Sequence, residues 1–239
     1  MGWLGDAVKV MFGMDDGQRA WREAVISAER NVRWGAQARS AGDFKRALTA
    51  LDLCPESSAP GPHYLFRRER AAAESHLWLA RLTLENLSRQ AAKLDDHFTA
   101  VDEGRKSLAA QTEASRTRVV QLEAEGSIIS AREERRRLED MEREGRDLPD
   151  LSAERLKRLA DLFARGVPLF QEHRGNAGKA LEALRAVAGL VPEDAQIRDG
   201  HHQQLQATLA TLDSAWKELT SQYLPPREGQ APRPPPAKR

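Results

Sequence analysis

The sequence predicts an all-α, elongated protein made of helical hairpins plus a long coiled-coil helix or helical hairpin. Three observations predict this class. Alternating β-branched runs are missing, and helical spacing recurs almost throughout. Hydrophobic residues make up 40% and charged residues 31%, but aromatics only 5%. That balance suits narrow apolar stripes on helices better than a thick core. The third observation is one seam stepping by alternating threes and fours from Leu77 to Ile129.

The segment 1–14 comes first. Trp3, Leu4, Ala7, Val8, Met11 and Phe12 share one helical face, with Gly2, Gly5, Asp6, Lys9 and Gly13 opposite. Trp3, Leu4, Val8, Met11 and Phe12 form a membrane or docking face. Lys9 is its one basic side chain, so attraction to anionic lipid is weak. Met1-Gly2 begins like a myristoylation signal, but Asp6 stands where Ser or Thr is required.

A hairpin is expected over 18–54. Its first helix, about Gln18 to Ser40, carries Trp21, Val25, Ala28, Val32 and Gly35 on one stripe. Gly42 reads as the helix stop and Asp43 as the next N-cap. A short helix from Phe44 to Leu53 follows, then a Pro-rich linker over 55–62.

The region 63–148 contains no proline and holds the seam. Its positions are Leu77, Ala80, Leu84, Leu87, Ala91, Leu94, Phe98 and Val101, then Arg105, Leu108, Thr112, Ser115, Val119, Leu122, Gly126 and Ile129. Such a heptad seam must bury a stripe against another helix. Leu77, Leu84, Leu87, Leu94, Phe98, Val101, Leu122 and Ile129 are the expected packing residues. The region is either one helix of about 130 Å or a hairpin turning near Gly104 or Gly126. Unbroken phase favours continuity through Gly104. The seam's polar second half reads as the weaker, more exchangeable part.

A further helical region spans 150–224. Asp150 or Ser152 caps a helix to about Arg165, which Pro168 kinks or ends. Asn176 to Leu190 makes another helix, closed by Pro192. The last runs from Glu193 to Tyr223 with a stripe of Leu205, Leu209, Leu212, Trp216, Leu219 and Tyr223. The 225–239 tail is Pro-rich and basic and cannot bury a core.

Residues 42–51 and 175–184 share Gly, Ala, Leu, Ala and Leu at matching positions. With Phe44, and with Ala180, Leu184 and Pro192 in the second copy, they resemble tetratricopeptide-type helical hairpins over 42–51 and 175–192. That resemblance implies Gly35, Gly42 and Ala47 at a close helix–helix contact with Phe44 filling between. The units are not in tandem, whereas a solenoid needs three stacked repeats. Apolar Trp3 and Leu4 followed by the extended 63–148 region resemble, in layout only, the phage-shock and vesicle-inducing membrane-remodelling family. That layout implies a peripheral membrane protein.

Catalytic and metal signals are few. Charge balances at 37 basic against 36 acidic residues, which removes the usual nucleic-acid footprint. Cys54 is the single cysteine, so no intrachain disulfide and no cysteine-rich zinc site can form. His201 and His202 are adjacent and point to different faces, and the other four histidines lack metal spacing. Gly175-Asn-Ala-Gly178-Lys179 lacks the spacing and hydroxyl of a phosphate loop. The dense charges around Glu133 to Arg137 read as a solvated helix face.

The expectation is a non-enzymatic scaffold or adaptor with no cofactor, no metal, no nucleic acid and no small-molecule substrate. It would act by coiled-coil self-association or with a helical protein partner. The alternative is a membrane-remodelling protein using residues 1–12. A cytoplasmic location is expected, membrane-peripheral in that alternative.

Overall fold

The computed structural model describes residues 16–54, 59–147, 151–190 and 195–224. These residues are all-α, with no strand among them. They form six helices: α1 Asp16–Ala38, α2 Ala41–Asp52, α3 Pro62–Ala124, α4 Ile128–Asp147, α5 Leu151–Ala188 and α6 Ala195–Tyr223. None is long and apolar enough to cross a membrane. The 1–14 face of Trp3, Leu4, Val8, Met11 and Phe12 and the 225–239 tail lie outside the described residues.

The chain divides into two compact units, one of Met1–Leu87 with Ala164–Arg239 and one of Ser88–Phe163.

In the first unit, α1 buries Trp21, Val25, Ala28, Val32 and Gly35, the stripe that sequence spacing predicts. The turn after it differs from expectation. Arg39, not Gly42, takes the left-handed conformation, at φ 50°. The Ser40 N–H donates to the Gly35 carbonyl at 3.0 Å, the long-range bond of a Schellman-type stop. Ser40 is the extended N-cap of α2, so Gly42 and Asp43 lie in its first turn. Asp43 is held there by Arg46 one turn on, and this side-chain contact lowers its pKa.

Trp21, Val25, Phe44, Ala47, Leu51 and Cys54 form a core that also takes in Ala71 and Leu79 of α3. Phe44 stacks on Trp78 at 5.5 Å between ring centroids, and Trp21 meets Tyr64 edge-on at 6.3 Å. Such aromatic pairs add about 0.5–1.5 kcal/mol beyond their area. The opposite face of α3 meets α5. Phe66 and Ala73 cluster with Ala180, Leu181 and Leu184. His76 reaches His173, and Leu87 packs on Gly166. Numbers fall on one helix as they rise on the other, so the two run antiparallel here.

Helix α5 is continuous through Pro168, which sequence reasoning expects to kink or end it. Proline removes the N–H that would bond to Ala164 and costs about 3 kcal/mol in a helix interior. Two features offset this. Pro168 is exposed, and the packing stripe of Gly166, Phe170, His173, Ala177, Ala180 and Leu184 keeps phase across it. Phe170 also stacks on Trp216 of α6 at 4.4 Å. The predicted α6 stripe from Leu205 to Tyr223 is buried or half-buried at every position.

In the second unit, α3 runs through Gly104 and stops at Ala124. The Ser127 N–H bonds to the Leu122 carbonyl at 2.9 Å, and the Gly126 N–H to Glu123 at 3.1 Å. With Gly126 at φ +73°, this is a Schellman stop with glycine at C′. Helix α4 then folds back. The Ser115 hydroxyl donates to Glu134 at 2.6 Å, Arg116 meets Glu142 at 2.8 Å and Arg135 pairs with Glu123. In α5 of this unit, Leu159, Leu162 and Phe163 are buried, and Arg155 pairs with Asp95.

Candidate functional site

The seam positions are covered in each unit. From Leu77 to Leu122 none of its positions is exposed. Leu77, Leu84, Leu87, Phe98 and Leu122 are buried, and Leu94 and Val101 are half-buried. In the first unit, Leu87 packs on Gly166 of the chain's own α5, and Leu77 lies beside Leu205 of α6. Past Leu122 the numerical phase outlives the helix. Gly126 lies in the turn, and Ile129 stands 78% exposed. Ile129 is therefore not a seam residue, because the Schellman stop redirects the backbone before the heptad reaches it.

The hairpin tip that results is an exposed apolar site of the second unit. Val120, Ile128 and Ile129 are 66%, 77% and 78% exposed. Three β-branched side chains within ten residues of one turn are a denser cluster than scattered exposed leucines, which need no explanation. The tip is held firmly from inside. Val119, Leu122 and Ala131 are buried beneath it, and Ser115 and Glu134 bond across the two helices. The Arg135–Glu123 and Arg116–Glu142 pairs cross the same interface. Side chains that find no burial inside are thus presented on a turn braced from within.

A recess lies in the first unit, between α3 and α6. It has a volume of about 250 Å³ and is lined by Glu74, Leu77, Trp78, Arg81, His201, Gln204, Leu205 and Thr208. That volume falls below the ~300–1,000 Å³ of small-molecule sites and suits a single side chain. Its charged wall is already engaged. Glu74 accepts from Arg70 at 2.9 Å and Arg81 donates to Glu85 at 3.0 Å. Arg81 also lies 5.0 Å above the Trp78 ring.

The third feature is a histidine pair. His76 on α3 and His173 on α5 bring their Nδ1 atoms to 3.4 Å, with ring centroids 5.6 Å apart. Burial, reinforced by His173, holds His76 down at about 4 against the attraction of Glu172 and Asp52. Burial lowers His173 as well, with Lys45 adding to the effect and Glu172 opposing it. The two rings stand 97 positions apart in sequence, so no spacing motif could reveal them. Histidine pairing here follows from the antiparallel register of α3 and α5.

Cys54 is buried, and its thiol lies 3.7 Å from the carbonyl oxygens of Trp21 and Ala50. Burial pushes its pKa up, which makes it a packing residue and a poor nucleophile. Among the described residues no three or more His, Cys, Asp or Glu side chains gather in a group that could hold a metal ion. Of the residues named with the tetratricopeptide resemblance, Gly35, Phe44 and Ala47 meet at the α1–α2 contact, while Gly42 faces only Ser40. No known protein family, characterised protein or solved structure matches this chain.

Proposed function

We propose that the chain is a helical scaffold or adaptor that self-associates and makes protein–protein contacts through the tip of the α3–α4 hairpin. The carrying observation is the exposure of Val120, Ile128 and Ile129 on a turn braced from within. The heptad seam is covered by the chain's own helices, so it supports the fold, and assembly falls to another apolar surface. Static light scattering over a concentration series tests this. The wild-type chain is expected to gain mass with concentration, and Ile128→Asp with Ile129→Asp to stay monomeric. A wild type that remains monomeric throughout, or a variant that assembles equally well, overturns the reading.

A second reading is a peripheral membrane protein. The same exposed isoleucines support it, because β-branched apolar side chains at a turn can enter the headgroup region. Vesicle flotation separates the two readings. Membrane docking through the tip requires recovery with vesicles that the two Asp substitutions abolish.

A further inference from the structure

We infer that His76 and His173 form a two-imidazole binding site for a divalent transition-metal ion of the zinc type, bridging α3 to α5. The first ground is distance. Two Zn–N bonds of about 2.0–2.1 Å spanning a tetrahedral angle place their nitrogens about 3.3–3.4 Å apart. The Nδ1 atoms of His76 and His173 are 3.4 Å apart. A cis pair on a square-planar ion would need about 2.8–2.9 Å with similar bonds. The observed separation thus matches the edge of a tetrahedral zinc site.

The second ground is preorganisation. The rings sit on two long helices locked in antiparallel register. Leu87 packs on Gly166 on one side, and Ala73 with Ala180 and Leu184 on the other. Neither ring must be gathered from a loop. Zinc binding needs both Nδ1 lone pairs, so each ring carries its hydrogen on Nε2, with no side chain losing charge.

The third ground is the local field. Burial keeps both rings free of the extra proton at neutral pH, so protons do not compete with the metal. Glu172 and Asp52 lie within electrostatic reach of His76 and favour a cation there; Lys45 opposes it at His173. Two protein ligands leave two tetrahedral positions for water or for a group supplied from outside. The site is therefore open, unlike the closed four-ligand sites that hold structural zinc.

Isothermal titration of the chelator-treated, full-length chain with zinc chloride tests the site. One equivalent is expected to bind. His76→Asn and His173→Asn should each lower affinity by at least about tenfold, while His201→Asn with His202→Asn should leave it unchanged. Equal affinity in the His76→Asn/His173→Asn double variant, or no zinc binding by the wild type, overturns the proposal. Cobalt substitution of the wild type gives a readout independent of whether any variant folds. Intense visible bands of a tetrahedral ion support the site, and the weak bands of a six-coordinate ion overturn it.

Discussion

Gly35 and Phe44 touch without room for another carbon: a Cβ at Gly35 would lie 2.9 Å from the Phe44 ring. Phe44 cannot retreat easily, because its other face stacks on Trp78 and it is fully buried. The α1–α2 contact therefore depends on a missing side chain on one helix and a large ring on the next.

Substituting that glycine should be costly despite alanine's better helix propensity. Gly35→Ala is expected to lower stability by about 1–3 kcal/mol, the usual penalty for overpacking a core. Gly104 makes the contrast. It also lies inside a helix, but a Cβ there meets nothing within 4 Å. Gly104→Ala should raise stability by about 0.5–1 kcal/mol through propensity alone. Urea unfolding followed by circular dichroism measures both. The same sign for the two changes would contradict this account of the contact.

The histidine pair makes stability depend on pH. His76 sits at about 4 in the folded chain, against 6.5 when unperturbed, and His173 is shifted the same way. A folded pKa below the unfolded one means that the unfolded chain takes up the proton more readily. The stability linked to the neutral rings is thus fully present above about 6.5 and drains away as pH falls toward 4. Glu172 and Asp52 moderate the loss, and Lys45 adds to it at His173. Urea midpoints in chelator-containing buffer should fall more steeply for the wild type than for the His76→Asn/His173→Asn variant across this window. Parallel curves would show that the pair does not titrate as described.

Stripes that repeat within one helix were the legible part of this fold. Trp21 to Gly35, Leu205 to Tyr223 and the seam from Leu77 to Leu122 all face inward, because helical period and burial share one geometry. Local punctuation was harder to read. Gly42 reads as a stop by sequence, yet Arg39 takes the left-handed position, and a basic residue there carries no strong signal. Pro168 reads as a break by sequence, but it is exposed while the stripe on either side is buried or half-buried. Packing on both flanks outweighs one lost hydrogen bond. The candidate sites were least legible. The tip depends on which glycine turns the chain, and the His76–His173 contact on the register between distant helices.

The seam's end offers the sharpest test of where pattern and structure part. Leu122 and Ile129 both occupy seam positions by spacing, seven residues apart. Leu122 is 8% exposed and Ile129 is 78% exposed. An aspartate at 122 would bury a carboxylate beside Val119 and Ala131, with a cost of at least about 2 kcal/mol. The same residue at 129 would remain in water and change stability by no more than about 0.5 kcal/mol. Thermal unfolding of Leu122→Asp and Ile129→Asp should therefore separate clearly, with only the first losing helical signal at lower temperature. Equal losses would mean that the heptad continues past Gly126 and that the turn is not where α3 ends.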